Sequence, residues 1–185
     1  CYRDFDGEIV PYGIVPAPIG PALQADLPNV EEAVRYSHTS ANLFLKDDFF
    51  PFQTAYVEDN FLDIFTLKML KGDRTALKDR SQILISDRVV EKHFPNTEPI
   101  GQAITLKHSN GKEENFTVAG VFQHFPLNSS FQFDMLTNFE NYLDLRDFNG
   151  NEWDQLIQVT FITLNDPSNF TEVSEQIQRY IPTQN

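Results

Sequence analysis

The sequence predicts an α+β fold. Several apolar segments alternate with the two-residue period of a strand and are joined by turn residues, and about four others have the spacing of an amphipathic helix. The two kinds of segment do not alternate regularly, as they would around a parallel sheet. With 185 residues, 41% of them hydrophobic and 17 of them Phe, the chain can bury a core in one domain or in two small subdomains.

The first third of the chain is predicted to form a loop, a helix and three strands. The opening segment is rich in Pro and Gly and has at most a short extended piece. A helix is predicted to begin around Pro21, which fits a first helical turn, and to end near Pro28, because the residue before proline avoids the helical region. Strands are predicted in VEEAVRYSHTS and ANLFLKDD, with a turn at residues 40–42. A further strand is predicted in FFPFQTAYVED, where Pro51 indicates an edge or a bulge.

The middle of the chain is predicted to continue with a helical turn in NFLDIF, capped by Asp59 or Asn60. The run TLKMLKGD then leads to a glycine turn. A short buried strand at residues 83–85 is followed by a helix whose cap is Ser86 or Asp87.

A β-hairpin is the clearest local prediction. Two apolar stretches flank SNGKEE, and the Asn110-Gly111 pair is a strong signal for a tight turn. Gly120 lies inside the second stretch, which predicts a bulge or a close approach of two backbones at that position.

The last third is predicted to run strand, helix, strand, helix. FQFDMLTNF and QLIQVTFITL have the strand pattern, and ENYLDLRDF has the helical one. The final helix is predicted to be capped by Asp166 or Ser168. Its apolar stripe consists of Phe170, Val173, Ile177 and Tyr180.

Composition excludes several classes of function. The formal net charge is -13, whereas binding to nucleic acid or to anionic lipid requires a basic face. The single cysteine, Cys1, excludes an internal disulfide and a CxxC site; it is open whether Cys1 is lipidated, is the end of a trimmed segment or is an ordinary boundary residue. No apolar run is long enough to cross a bilayer, and the absence of an initial Met predicts a part excised from a longer protein.

No catalytic motif is present in the sequence. It lacks GxSxG, a GxGxxG after a strand and the GxxxxGK[ST] loop that would bind ATP. The four histidines, which show no metal-ligand spacing, are His38, His93, His108 and His124. No cofactor and no metal ligand are therefore predicted.

Two acidic turns were tested as calcium loops. DFDGE contains Asp4, Asp6 and Glu8, and RDFNGNEWD contains Asp147 and Glu152. An EF-hand needs a carboxylate five residues before its glycine and a Glu six residues after it. Neither turn has them, which favours solvated turns.

The segment DDFFPF is the one candidate for contact with a partner. Phe49, Phe50 and Phe52 surround a proline beside two acidic residues. If strand alternation exposes part of this set, the exposed rings form a docking surface. The alternative is that most of these rings belong to the core.

Four blocks of the sequence, read in order, carry a family resemblance: PALQADLPNVEEAVRY, VEDNFLDIFTLKMLKGD, ILISDRVVEKHFPNTEPIGQAITL and FTVAGVFQHFPLNSSFQFDML. Together they span roughly residues 20–137. The chain resembles the MacB-like periplasmic core domain of FtsX-like ABC transporter permeases, of the Bacteroidetes type. The opening loop matches nothing in the family pattern, and PNTE stands where the family often has Phe-Gly and a short acidic turn.

The resemblance implies a fold with two lobes. A discontinuous porter-like α+β lobe would comprise residues 1–74 and 125–185, and a smaller β-rich lobe, residues 75–124, would be inserted in it. The segment FLDIFTLKMLKGD would then be the base on which the inserted lobe is mounted.

The resemblance also implies a function without catalysis on this chain. The domain would lie on the periplasmic face of the bacterial inner membrane and transmit the conformational change that ATP drives in a separate nucleotide-binding domain or subunit. Its partners would be that ATPase, through the parent permease, and a periplasmic adaptor, lipoprotein or other extracytoplasmic protein. The parent chain would be dimeric in the membrane.

Two other hypotheses stay open from the sequence. One is a secreted acidic binding module that holds calcium or carbohydrate in its acidic turns. The other is a hydrolase with an unrecognised carboxylate site, which predicts a deep pocket lined by convergent Asp or Glu side chains.

Overall fold

The structure is a computed structural model. It describes the backbone of residues 2–5, 8–11, 13–45 and 48–180, and the side chains of residues 13–44 and 50–180. The strands and helices confirm the α+β class. The chain divides into two compact units: unit 1 consists of Cys1–Tyr36 and Asp147–Asn185, and unit 2 consists of Ser37–Arg146.

In the described part of the chain, the strands are, in order, β1 (Tyr2–Phe5), β2 (Glu8–Pro11), β3 (Val15–Pro16), β4 (Val30–Leu45), β5 (Asp48–Val57), β6 (Met69–Gly72), β7 (Gln82–Ser86), β8 (Ala103–Lys107), β9 (Glu113–Phe122), β10 (Met135–Asn138), β11 (Leu156–Ile157) and β12 (Val159–Leu164). The α-helices are α1 (Ile19–Asp26), α2 (Phe61–Ile64), α3 (Asp87–His93), α4 (Phe139–Arg146) and α5 (Phe170–Ile177). Short 3-10 helices span Arg74–Lys78 and Pro167–Asn169. None of the described helices is both long and apolar enough to cross a membrane.

Unit 1 packs its two longer helices around a small apolar core. Helix α1 ends where Pro28 predicts, with the Leu27 amide donating to the Leu23 carbonyl at 2.9 Å. Strand β12 pairs antiparallel with the first part of β4, and β11 pairs antiparallel with β3. The buried core residues, contributed by α1, α5 and the chain next to them, are Ile19, Leu23, Leu27, Val30, Val173 and Tyr180.

In unit 2, strand pairings close into a ring. Around it, β4 is followed by β5, β10, β7, β9 and β8, and β8 pairs again with β4. The pairs β5–β10 and β7–β9 are parallel, while β7–β10, β8–β9 and β4–β8 are antiparallel. Strand β6 attaches to β9 outside the ring. One core cluster contains buried side chains from all six ring strands and from α3, so these alternating apolar positions fill the same interior.

The hairpin prediction is confirmed. Strands β8 and β9 pair antiparallel, with Ala103 opposite Thr117 and Lys107 opposite Glu113. Gly111 in the turn has φ +84°, a conformation that glycine adopts without steric cost. At Gly120 the β7–β9 register shifts, because Ile83 pairs with Val118 and Leu84 pairs with Gly120. The predicted bulge is therefore present.

The predicted turn at residues 40–42 is wrong, because β4 runs without interruption from Val30 to Leu45. Ser40 and Asn42 are polar residues on the exposed side of this strand, and the buried residues between and beside them, Ala41 and Leu43, continue its alternation. The pattern of polar residues was that of a half-buried strand, not that of a turn.

Three further predictions need correction. The predicted single strand in QLIQVTFITL is two strands, β11 and β12, which pair with different partners. Strand β10 begins only at Met135. Phe170 is not part of the apolar stripe of α5, since 68% of its surface is exposed. The lobe boundaries at residues 74 and 124 differ from the limits of the two units and stay a prediction.

Candidate partner-binding surface

The predicted contact residues lie where β5 meets the end of α3. The side chain of Phe49 lies outside the described residues. Phe50 is half-buried, and its ring centroid lies 4.3 Å from that of His93. Phe52 is buried, and its ring meets the same imidazole edge-to-face at 5.3 Å. The Lys92 ammonium lies 4.7 Å above the Phe50 ring. Since Phe52 offers little surface, a partner contact here would use Phe50 chiefly, and that role stays a prediction.

The structure does not bring the four histidines together. His38 lies within β4 and His93 lies against the two Phe rings of β5. His108 contacts Glu114, and His124 contacts Asp87. Among the residues that the structure describes, no group of three or more His, Cys, Asp or Glu side chains is placed to hold a metal ion.

The second acidic turn is held by its own hydrogen bonds. The Asn149 amide group donates to Glu152 at 2.6 Å, and its oxygen accepts from the Asn151 amide at 2.9 Å. The Gly150 amide donates to the Gln155 side chain at 2.9 Å. The side chains of Asp4, Asp6 and Glu8 in the first turn lie outside the described residues.

An aromatic cluster lies in unit 2, and we call it the aromatic end. Its six rings, which come from α2, from the end of β9 and from the loop before β10, are those of Phe61, Phe65, Phe122, Phe125, Phe131 and Phe133. Centroid separations of 4.7–6.5 Å are typical of favourable offset and edge-to-face ring pairs. Phe61, Phe122 and Phe133 are buried, whereas Phe65, Phe125 and Phe131 are half-buried.

Leu127 stands out at the aromatic end because 96% of its surface is exposed. It lies in the loop between Phe125 and Phe131. The loop is ordered by internal bonds, since the Ser129 amide and the Gln132 side chain both donate to the Pro126 carbonyl at 2.9 Å. Its backbone therefore presents the leucine to solvent in a defined position.

A cleft of about 420 Å³ adjoins this loop. It is lined by residues 66–68 and 123–126, and its two sides are joined by the Gln123 amide, which donates to the Lys68 carbonyl at 2.9 Å. The Arg74 guanidinium donates to the Leu67 carbonyl at 3.2 Å and also to the Leu62 carbonyl. These bonds fix the segment after α2 against the loop.

The loop is also attached to α3 through Asp87. One oxygen of the Asp87 carboxylate accepts from the His124 amide at 3.0 Å and lies 2.8 Å from His124 Nδ1. Burial opposes ionisation of this carboxyl group. The hydrogen bonds from His124 and from the Arg88 amide outweigh that effect and hold the pKa of Asp87 below its ordinary value.

Sequence reasoning did not single out the aromatic end as a surface. Its rings come from two parts of the chain about 60 residues apart, such as Phe65 and Phe125, and no local pattern shows that they meet. One available signal was the density of Phe in residues 122–133. A second was Leu127, an apolar residue between Pro126 and a polar Asn-Ser-Ser stretch.

Comparison with protein families supplies the class of the molecule. The family model described as the MacB-like periplasmic core domain matches residues 7–180. The chain belongs to this family, so the resemblance seen in the four sequence blocks is confirmed. The comparison with curated proteins gave no match.

Solved structures agree with the family. A domain of a permease protein from Porphyromonas gingivalis superposes with a TM-score of 0.71 at 27% identity, covering 93% of this chain and 73% of that one. The periplasmic region of MacB from Actinobacillus actinomycetemcomitans gives a TM-score of 0.68 at 13% identity, with coverages of 91% and 73%. The extracellular domain of the ABC-type transporter YknZ from Gram-positive bacteria gives a TM-score of 0.69 at 13% identity, covering 92% of this chain and 84% of that one. At 13% identity the last two show the fold alone.

The protein is therefore a periplasmic domain of a MacB-like ABC transporter permease. Domains of this family are parts of a transporter and are not themselves catalytic.

Proposed function

We propose that this domain binds an extracytoplasmic protein through the aromatic end and passes to it the motion that ATP drives elsewhere in the permease. The observation that carries the proposal is Leu127, which is almost fully exposed on a loop held by its own hydrogen bonds and lies in sequence between the half-buried Phe125 and Phe131. An apolar patch on the surface of a domain marks a site of contact with another protein, and Leu127 together with the half-buried Phe rings of the same loop supplies apolar surface.

The charge of the chain favours one kind of partner. A formal net charge of -13 repels acidic proteins and anionic surfaces and accelerates association with a basic protein surface. We therefore infer a partner that offers an apolar pocket with a basic rim, such as a periplasmic adaptor or a lipoprotein. Other binding sites on the domain, including Phe50, would be secondary to this one.

Transmission requires that the partner distinguishes two states of the permease. In this proposal, ATP is hydrolysed on a separate nucleotide-binding domain or subunit at the cytoplasmic side of the membrane. Its cycle can change the affinity at the aromatic end only by shifting an equilibrium between two conformations. The hydrogen bonds that join the Leu127 loop to the segment after α2 and to α3 support this role, because they couple the loop to the body of unit 2.

Photo-crosslinking in the intact permease, expressed in its own cells, tests the proposal. A photoreactive amino acid replaces Leu127 in one strain and Ser109 in another. Ser109 is exposed and lies in the β8–β9 turn, at the opposite end of β9 from Phe122. We expect a discrete adduct with an extracytoplasmic protein at position 127 that is absent at position 109. Equal adducts at both positions, or none at 127, would overturn the proposal.

A further inference from the structure

Unit 2 has a second concavity, whose lining residues are not those of the aromatic end. It is a cavity of about 230 Å³ between the β8–β9 hairpin and helix α4, and we call it the hairpin–helix cavity. Its wall combines polar side chains of the hairpin, among them Glu114 and Asn115, with Asn141 of α4 and with the apolar Phe116 and Leu145. The size is that of a small-molecule site holding only a few heavy atoms.

A largely buried carboxylate lies in the wall of this cavity. The Glu114 side chain is 14% exposed. Its Oε2 atom accepts a hydrogen bond from the Tyr56 hydroxyl at 2.6 Å and lies 2.6 Å from His108 Nε2. Both contacts involve the same oxygen, and no partner of Oε1 is seen among the described side chains. A carboxylate taken out of water with one free oxygen is a strong acceptor site for a donor from outside.

The cationic groups of the cavity have acceptors on α4. The Arg80 guanidinium forms an ion pair with the Asp144 carboxylate. The Lys112 ammonium donates to the Asp144 backbone carbonyl at 2.8 Å. Both positive charges are thereby held at the α4 side of the cavity.

The amide side chain of Asn141 adds a second acceptor. Its nitrogen donates to the Arg80 carbonyl at 2.9 Å and to the Thr137 hydroxyl oxygen at 3.0 Å. With both hydrogens used, Asn141 has only its carbonyl oxygen left to offer. Glu114 and Asn141 both line the cavity, and a carboxylate oxygen together with an amide oxygen matches a ligand that carries several N–H donors.

We propose that the hairpin–helix cavity binds a small molecule with a primary ammonium group, which donates to Glu114 Oε1 and Asn141 Oδ1. A positive charge on the ligand is favoured because the buried carboxylate is negative. The apolar Phe116 and Leu145 side chains accommodate the carbon skeleton next to the ammonium. A divalent cation is a poorer match, since among the described residues no group of three or more His, Cys, Asp or Glu side chains is placed to hold a metal ion.

Glycinamide is the probe, and N-acetylglycinamide, which has an amide in place of the ammonium, is its matched control. Each is titrated into the 185-residue chain while backbone amide signals are followed by NMR. We expect saturable shifts with glycinamide, confined to residues 112–116 and 141–145, with a dissociation constant on the order of millimolar for so small a ligand. The acetylated control should cause no saturable shift.

Three variants sharpen the experiment. Glu114→Gln removes the charge and should weaken glycinamide binding by about tenfold. Glu98→Gln makes the same change at an exposed residue paired with Lys71, outside the cavity, and should leave binding unchanged. Asn115→Trp introduces a large ring at an exposed position of the wall and should abolish binding by filling the cavity.

The comparison of the two probes uses only the natural sequence, so it tests the proposed ammonium site even if Glu114→Gln fails to fold. Equal shifts with both probes, shifts that do not saturate, or shifts that map elsewhere would each overturn the proposal. An Asn115→Trp protein that still binds glycinamide with unchanged affinity would do so as well.

Discussion

Gly72 lies directly against the backbone of Ala119: a Cβ atom on Gly72 would be 2.1 Å from the Ala119 carbonyl oxygen. Gly72 also has φ +83°, and the next amide, that of Asp73, donates to the same oxygen at 3.3 Å. The Lys-Gly-Asp exit from β6 is therefore a point where two strands approach more closely than any side chain at position 72 allows.

Replacement of Gly72 by Ala should destabilise the domain by more than about 3 kcal/mol, because a left-handed φ costs an L-residue about 1–2 kcal/mol and the clash with Ala119 adds to it. The neighbouring atoms are backbone, so they cannot rotate away. Urea unfolding followed by circular dichroism measures the change.

Gly101→Ala is the matched control for this variant. Gly101 has nearly the same conformation, φ +81°, but nothing lies within 4 Å of a Cβ atom there. Its replacement should cost only the conformational part, about 1–2 kcal/mol. If the two variants were equally stable, the close approach of Gly72 to Ala119 would not be a feature of the protein in solution.

The aromatic end should respond very differently at its buried and exposed positions. Phe133 is buried, with its ring 4.8 Å from that of Phe125 and 5.8 Å from that of Phe122. Phe133→Ala should cost about 3–5 kcal/mol, as deletions of buried rings do. Leu127→Ala should change the free energy of unfolding by less than about 0.5 kcal/mol, since the side chain is exposed. A large loss of stability in Leu127→Ala would show that the leucine is packed and unavailable to a partner.

Local signals explain which parts of the fold the sequence predicted. The β8–β9 hairpin was predictable because Asn110 and Gly111 define a tight turn between two alternating runs. Gly120 was predictable because a glycine inside an apolar strand is unusual. The structure gives the physical cause, since a Cβ atom there would lie 2.7 Å from Leu84 Cδ2 and 3.1 Å from the Lys71 carbonyl oxygen. Positions where only glycine fits stand out within an apolar strand.

Relationships between distant segments were not predictable in the same way. The ring of strands in unit 2 depends on the pairing of β4 with β8, which are about 60 residues apart. The periodicity of each strand in the sequence does not indicate which other strand it pairs with. Phe170 has helical spacing with Val173, yet it is exposed. Helical spacing shows which residues share one face of a helix, but not how far along the helix that face is buried. The carboxylate of Glu114 was missed for the same reason, since its partner Tyr56 is contributed by another strand.

The Tyr56–Glu114 hydrogen bond should be a strong one. Burial of the Tyr56 phenol, together with the adjacent Glu114 carboxylate, raises the pKa of Tyr56 far above its ordinary value. The Tyr56 hydroxyl group therefore stays protonated, and a donor, at neutral pH. Tyr56→Phe should cost about 1.5–3 kcal/mol, the range for a buried hydrogen bond to a charged group.

A double-mutant cycle with Glu114→Gln isolates the contribution of the carboxylate charge to this contact, because Gln keeps an acceptor oxygen. Urea unfolding of the two single variants and the double variant should give a coupling energy above about 1 kcal/mol, because the two side chains touch directly. Additive changes would mean that the charge of Glu114 does not strengthen the hydrogen bond from Tyr56.

The Asp87–His124 contact should make the stability of the domain sensitive to acid. The folded-state pKa of Asp87 is lowered, whereas in the unfolded chain an Asp has a pKa of about 3.9. Ionised Asp87 thus stabilises the fold above about pH 4, and this contribution is lost as the pH falls through the lower folded-state value. Asp87→Asn retains an acceptor oxygen but loses the charge, and it should lower the free energy of unfolding at pH 7 by about 1 kcal/mol.

The difference between natural protein and Asp87→Asn should shrink steadily as the pH is lowered from 5 to 2, because protonation makes the two side chains alike. Denaturant unfolding at each pH measures it. Replacing His124 by Ala should reduce stability in the natural background but have a smaller effect once Asp87 is Asn, because the charged partner is already gone. A difference between the natural protein and Asp87→Asn that stays constant down to pH 2 would show that the carboxylate charge does not hold the loop to α3.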